Sequence, residues 1–535
     1  MFAPCALALM SALLFAPVQD ADEDLWADLL SDYSGETPSF DMSDPLELSL
    51  EEAIRLSFGN NLTVRAAELD AQAWVEGFGS AWGRFDTVLF ADATGSRSVT
   101  APTPTNIVGG VNVGGSGATK TNFYSATTGV RGLFLSGTSW EFGMGPQRVK
   151  TSANGGVSDV YTANWNLEMT HPLLRNGGDF ERQGLELAAH DVRIASAGRD
   201  QTAIDTVELV VISYWNLVFS LQNLRTKRAS VVLAEELVDI TQRTFDQGLR
   251  NRIEVVEVEA ELAQRQEELI LAENTVSQAM DELRRQVFAP SDVGQFRRPL
   301  RPTTKALGDD APAESEPLES MIAVALARRP DILQRRWELD RADIEVERAE
   351  NQALSRFDLT AGYGINSNED DMRSTLENLN DNQFDSASVT LSWERPFGNR
   401  TAGYALRRAR VSRQRAGVLL RDVELLAVTD VRTEERNVRL QAQRVETTAE
   451  SSRLNREVYE GEVRRLENDL STPFQVRETL RNWLDAIDTE LRARLDLEVS
   501  RVALSAAQGV LLESYGLVTN QPEPSLDYAP PAPLR

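Results

Sequence analysis

Three short segments recur in the same order in both halves of this chain, which makes it a duplicated unit rather than a string of unrelated domains. Leu62 to Leu69 is similar to Pro330 to Trp337, and the helical run after each ends at the same tripeptide, Arg84-Phe85-Asp86 and Arg356-Phe357-Asp358. Next, Leu167-Glu168-Met169-Thr170-His171-Pro172 and Leu391-Ser392-Trp393-Glu394-Arg395-Pro396 each close a strand-like run before a long helical pattern. Last, the segment from Phe245 through Gly248, Leu249 and Ile253 to Val255 matches the segment from Leu466 through Asp469, Leu470 and Phe474 to Val476. Gly248 suits the left-handed end of a helix, and Asn251 or Thr472 suits the cap of the next one. Each copy therefore reads as a helical-hairpin tip.

Between these markers the apolar residues change period. Tyr161, Ala163, Trp165, Leu167 and Met169 alternate with polar residues, as do Phe357, Leu359, Ala361, Tyr363 and Ile365, and Ala387, Val389, Leu391 and Trp393. Such strands have one apolar, aromatic face and one small, polar face. That pattern fits a soluble sheet over a core or a barrel with lipid outside and water inside. The strands hang between very long helical patterns with no second apolar layer to cover them, which favours the barrel. The first half has room for one extra hairpin, over Val130 to Val149 with its turn at Ser136-Gly137-Thr138, while the runs from Thr94 to Asn122 and Asn366 to Gln383 read as outer loops.

After each proline, about 65 residues keep a helical period, which at 1.5 Å per residue reaches roughly 95 to 100 Å. Their apolar positions are sparse and interspersed with Arg, Glu and Gln, as suits helices side by side in a wall with a wet surface. The chain divides into a signal-like segment 1–21, an acidic leader 22–44 and a first repeat 45–288, with strands about 86–171, a long helix about 182–245, a tip about 245–253 and a returning helix. A Pro-, Asp- and Arg-rich connector, 289–317, leads to a second repeat 318–516. That repeat has strands about 357–395, a long helix about 400–466, a tip about 466–474 and a returning helix. A tail, 517–535, reads as disordered.

Ala3 to Val18 is apolar with small residues after it, like a secretory signal, though without the basic residues that usually precede one. The single cysteine, Cys5, lies inside that segment, so a mature chain would have neither a disulfide framework nor a thiolate metal site. Beyond Val18 no stretch of about 18 apolar residues stands out, so any membrane crossing falls to strands. The net charge of -27 argues against nucleic acid or anionic lipid as the main partner, since both select basic surfaces. Only two histidines, His171 and His190, are present, each without a spaced ligand partner. No nucleophile motif or phosphate loop accompanies them, and the glycine run at 114–117 lacks the lysine and helix such a loop needs. The sequence is read as that of a non-enzyme with no cofactor and no metal.

Leu48-Ser49-Leu50-Glu51-Glu52-Ala53-Ile54, Arg329-Pro330-Asp331-Ile332-Leu333, His171-Pro172-Leu173-Leu174-Arg175, Pro396-Phe397-Gly398-Asn399-Arg400 and the paired tips together resemble the TolC-type outer-membrane efflux and secretion channels. The resemblance implies an α+β membrane protein: a homotrimer with a 12-stranded β-barrel, four strands per subunit, continuous with a long α-helical periplasmic barrel, and two structural repeats per chain. It implies strand-to-helix transitions at Pro172 and Pro396. It also implies tips that dock a periplasmic adaptor protein through Gly248, Leu249, Ile253, Asp469, Leu470 and Phe474, linked through that adaptor to an inner-membrane transporter. Carboxylates six and nine positions past the second hairpin's turn glycine would line a pore constriction, which maps to Gln475 and Glu478, with Glu254 and Glu257 as the equivalents on the first hairpin. Two positions depart from that pattern, since Asp469 replaces the second turn glycine and Gln475 removes one charge. The competing reading is a soluble or periplasmic coiled-coil scaffold, which leaves the strand alternation and the matched prolines without a role.

Overall fold

The computed structural model describes residues 45–102, 106–108, 111–113, 117–153, 156–248, 251–288, 298–304, 317–380, 384–467 and 470–517. The signal-like segment, the acidic leader, most of the connector and nearly all of the tail lie outside the described residues. The chain divides into two compact units, one of residues 62–205, 317–431 and 507 onward, the other of residues up to 61, 206–316 and 432–506.

The first unit holds a six-stranded antiparallel sheet, in the order β10-β9-β7-β6-β5-β2, formed by β2 (Val88–Thr100), β5 (Thr119–Leu133), β6 (Ser139–Ala153), β7 (Gly156–Pro172), β9 (Arg356–Glu369) and β10 (Asp385–Glu394). Two short strands, β3 (Asn106–Val108) and β4 (Val111–Val113), pair in the loop after β2. Residues paired across an antiparallel ladder share a face. Ala387, Tyr363, Leu167, Phe142, Val130 and Leu89 form one continuous apolar row across all six strands. One residue further along each ladder, Ser388, Gly362, Glu168, Glu141, Arg131 and Val88 form the row on the opposite face. Phe142, Trp165 and Tyr363 touch in sequence along the apolar face, with ring centroids 6.0 and 5.7 Å apart. Much of that face is open: Leu89, Val389, Leu391 and Trp393 are all exposed. A short helix α7 (Met372–Glu377) and the turn after it cover only one patch, where Leu379 packs on Ala163, Trp165 and Ile365.

Six strands replace the four expected per chain. The hairpin β5–β6 begins and ends further out than Val130 and Val149, and both its strands are paired on both sides. Its apolar residues Trp140, Phe142 and Met144 continue the apolar face of β7, so pairing buries ladder hydrogen bonds without exposing a mismatched surface. The turn Phe134–Thr138 closes through Phe134 N–H to Thr138 O at 2.9 Å, with Gly137 at φ +80. The expected outer loops are shorter, since β2 runs to Thr100 and β9 to Glu369.

Helices in this unit stand in a row. α2 (Leu62–Trp82) packs on the first part of α3 (Phe180–Asp246) through Phe78, Leu185, Ala189 and Val192. α3 meets α6 (Pro330–Ala353) where Trp337 lies under the Arg193 guanidinium at 4.7 Å and beside His190. α6 meets α8 (Arg400–Glu467) through Arg413–Asp343 at 2.6 Å and Arg410–Glu350 at 2.8 Å. The sparse apolar content read from the sequence thus becomes helices joined by ion pairs and single aromatic contacts. The second repeat opens with two helices, α5 (Leu318–Arg328) and α6, because Pro330 has no N–H to continue the ladder. The first pattern also breaks, at Asn61, between α1 (Leu50–Asn60) and α2. The second returning helix, α9 (Pro473–Ala507), ends before Gly509, which takes φ +72 against the Arg329 backbone ahead of the short α10 (Leu511–Ser514).

The second unit contains α1, the remainder of α3, α4 (Arg252–Val287), the remainder of α8 and α9, together with β1 (Leu46–Leu48) paired in parallel with β8 (Leu300–Pro302). This pairing was not legible in the sequence. Its core is the face of α3 that carries Val207, Val210, Val211, Tyr214 and Leu217, all essentially inaccessible. Burying each large aliphatic side chain is worth roughly 1.5–3 kcal/mol. The Tyr214 hydroxyl donates to Leu48 O at 3.1 Å and bonds Thr304 Oγ1 at 2.8 Å, so the β1–β8 pair is pinned to the helix. One window of α3 is long and apolar enough to pass as a membrane span, contrary to the sequence reading, but most of it is buried inside the protein.

Candidate functional site

Both hairpin tips lie in the second unit and pack on each other. Behind them, Leu237 of α3, Val258 of α4, Leu466 of α8 and Val476 of α9 form one buried cluster. Further along, Tyr459 stacks on Trp483 with ring centroids 5.2 Å apart, and burial pushes the Tyr459 phenol up to about 12. Lys227 of α3 joins three helices, with Nζ 2.8 Å from Asp488 of α9 and 3.4 Å from Glu268 of α4. Burial works against its ammonium, but the hydrogen bond and charge of Asp488, helped by Glu268, overcome this and raise its pKa.

At the first tip the Gly248 N–H bonds Phe245 O at 2.8 Å with Gly248 at φ +75, the left-handed end expected of this glycine. Asn251 then caps α4 in a capping box, its own N–H reaching Glu254 Oε1 at 3.4 Å. At the second tip Thr472 caps α9, accepting from Gln475 N–H, and Pro473 takes the first helical position, where its missing N–H costs nothing. Leu249 and Asp469 lie outside the described residues. Ile253, Leu470 and Phe474 are 64%, 69% and 57% exposed, so the tips present large apolar side chains to solvent instead of packing them in the hairpin.

The structure brings Glu254 and Glu257 of the first hairpin together with Thr472, Pro473, Phe474 and Arg477 of the second around a cavity of about 250 Å³. Gln475 and Glu478 are not in that lining. Each of the four constriction candidates has a partner within its own chain. Glu254 turns back to Asn251; Glu257 lies 4.0 Å from Arg477; the Ser471 hydroxyl donates to Gln475 Oε1 at 3.0 Å; and Arg481 donates to Glu478 at 2.7 Å. Arg477 also lies over the Phe474 ring at 5.0 Å. Sequence reading missed Arg477, and its only signal was its place one turn after Phe474.

Pro172 ends β7 and Pro396 follows β10, each before left-handed turns at Asn176 and Gly178 and at Gly398 and Asn399. The end of α6 ties both transitions: Asn176 N–H donates to Asn351 Oδ1 at 2.7 Å, and Asn399 Nδ2 donates to Ala353 O at 2.9 Å. The two histidines have local surroundings. His171 Nδ1 pairs with the Thr138 hydroxyl at 2.8 Å, and burial lowers the pKa of His190 beside Trp337.

The sequence profile of the outer membrane efflux protein family matches residues 141–287 and 321–510. Among solved structures the fold is shared with the outer-membrane channel OprN, at TM-score 0.62 and 15% identity over 88% of this chain and 94% of that one. It is also shared with the Campylobacter jejuni CmeC outer membrane channel, at 0.62 and 16% over 94% of each. The open state of the Neisseria gonorrhoeae MtrE outer membrane channel matches at 0.59 and 17% over 86% of this chain and 89% of that one. No curated protein matches the sequence.

Proposed function

The chain belongs to the outer membrane efflux protein family, and from that premise we propose that it is the passive exit duct of a tripartite efflux pump or type I secretion system. In this reading it docks a periplasmic adaptor at its hairpin tips and opens by iris-like separation of helices. The observation that carries the proposal is the open apolar face of the six-stranded sheet. In water such a face would be an aggregation surface; in a bilayer it is the outer wall of a barrel.

A bilayer also forbids open sheet edges. Among the described residues β2 and β10 each have one neighbour in the sheet, so closure needs further strands from other copies. The helix row supports the same conclusion at its two ends. Tyr404, Val411, Val418 and Leu425 of α8 are exposed at every seventh position, and so are Leu62 and Leu69 of α2. Head-to-tail copies would cover both stripes and pair β10 of one copy with β2 of the next, closing a ring. For a homotrimer the wall then has 3 × 6 = 18 strands. The exposed Ile253, Leu470 and Phe474 suit apolar anchors for an adaptor.

Cell fractionation tests the reading. Enrichment with the outer membrane, as an oligomer that resists detergent until heated, is expected. Recovery as a soluble protein would favour the coiled-coil scaffold.

A further inference from the structure

At the end of the strands away from Pro172 and Pro396, the apolar face gives way to cations. Three successive cross-strand rows carry the change. Tyr124, Arg148, Tyr161 and Glu369 form the first; Arg97, Asn122, Lys150 and Asp159 the second; Val99, Lys120, Ser152 and Val157 the third. Because paired residues share a face, Arg97, Lys120, Arg148 and Lys150 all project on the side of Phe142, Met144 and Trp165. Four cations face Asp159 and the flanking Glu369, a balance of 4 − 2 = +2 in a chain of net charge -27. Lysine is scarce in this sequence, at positions 120, 150, 227 and 305, and two of the four lie in this patch.

The internal pairs leave charge available. Arg148 donates twice to Asp159, at 2.9 and 2.6 Å, and lies 5.0 Å over the Tyr161 ring, which fixes it in place. Lys150 is 3.6 Å from the same carboxylate, so one anion is shared between two cations. Arg97 and Lys120 are exposed and form no ion pair among the described residues. Tyr124, Tyr161 and Asn122 supply hydrogen-bonding groups between the charges.

We propose that this patch binds the phosphorylated headgroup of an anionic lipid, whose acyl chains lie along the apolar band of Phe142 and Met144. The proposal rests on reading the sheet as a membrane wall. Charge complementarity selects the occupant, because basic side chains next to an apolar surface recognise phosphate above acyl chains.

The test uses the full-length oligomer in neutral detergent and measures its affinity for micelles carrying diphosphorylated lipid A or the same lipid dephosphorylated. The phosphorylated form should bind more tightly, and Lys120→Gln with Lys150→Gln should weaken it about 25-fold, taking each cation as worth about fivefold. Lys120→Arg with Lys150→Arg should restore binding, and Arg436→Gln, at an exposed position of α8, should leave it unchanged. Equal binding of the two lipids, an unaffected glutamine double variant, or full competition by millimolar inorganic phosphate would overturn the proposal. A protein that inserts normally but shows one of these results sinks the lipid site alone, whereas a protein that stays soluble sinks the channel reading beneath it.

Discussion

The two halves of the chain match in their helices far more closely than in their strands. α1 and α5 each have 11 residues, α2 and α6 have 21 and 24, α3 and α8 have 67 and 68, and α4 and α9 have 36 and 35. The first half nevertheless gives four long strands to the sheet where the second gives two. The difference follows from what each element must satisfy. A helix in a row touches neighbours on both sides along its length, so a changed length leaves unmatched contacts. An added hairpin leaves the sheet in the direction the chain already had and returns its end beside the next strand. It can therefore be inserted without moving Pro172 or the start of α3.

That comparison predicts its largest effect when the difference is removed. Excising residues 119–153 would leave β2 beside β7 and four strands per chain. The variant should still reach the outer membrane as an oligomer, with a barrel narrower by roughly one third, since diameter scales with strand number. End-on electron microscopy reads this directly. Failure of the variant to assemble would show that the hairpin is required for closure and is not an insertion.

If the extra hairpin left the facing of the sheet unchanged, the two halves should respond alike to charge. Leu167→Arg in the first half and Val389→Arg in the second should each cost about 2–4 kcal/mol per copy, read as loss of the heat-resistant oligomer. Asn166→Arg and Ser388→Arg, one residue away on the opposite face, should cost close to nothing. A large cost at Leu167 with none at Val389 would place the two halves in different environments.

At the tips the halves differ in the other direction. Phe474→Asp with Leu470→Asp should reduce co-purification of the adaptor by roughly 30-fold, the weight of an interface anchor of about 2 kcal/mol. Ile253→Asp should reduce it less, since among the described tip residues the first hairpin presents Ile253 where the second presents Leu470 and Phe474. Neutralising the carboxylates tests the gate: Glu257→Gln with Glu478→Gln should lower cation preference in planar-bilayer conductance, and unchanged selectivity would remove both from the pore.

The smallest predicted effect is a pH dependence confined to one hairpin. Tyr459 is raised to about 12 by burial, with the charges of Glu236 and Glu460 adding to it. A group raised in the folded state stabilises fully below its unfolded pKa, near 10, and that contribution is lost as pH rises toward 12. The second hairpin should therefore loosen between about pH 10 and 12 in hydrogen exchange, and Tyr459→Phe should abolish that dependence. The corresponding position of the first hairpin is Val238, which cannot titrate.

The sequence carried the helix order, the tips, the prolines and the facing of the strands with strong alternation, such as Tyr161 to Met169. It did not carry the strand count. β5 puts Gly132, Thr128 and Ala126 on the apolar side and Phe123 on the other, and β2 puts Ala91, Ala93 and Gly95 there, so small residues hide the two-residue period. Helix breaks at Asn61 and Arg329 were overrun because apolar periodicity continues across them. At the tips the positions of Ile253, Leu470 and Phe474 were legible but not whether they face outward or pack within the hairpin, and the approach of Arg477 to Glu257 joins separate hairpins and leaves no spacing to read.

The account is tested most directly by counting strands in end-on electron cryomicroscopy images of the wild-type particle extracted from the outer membrane. Threefold particles with 18 strands and the row from Leu89 to Ala387 facing detergent are the predicted result. A sheet closed within one copy, a wall of twelve strands, or that row covered by protein would contradict it.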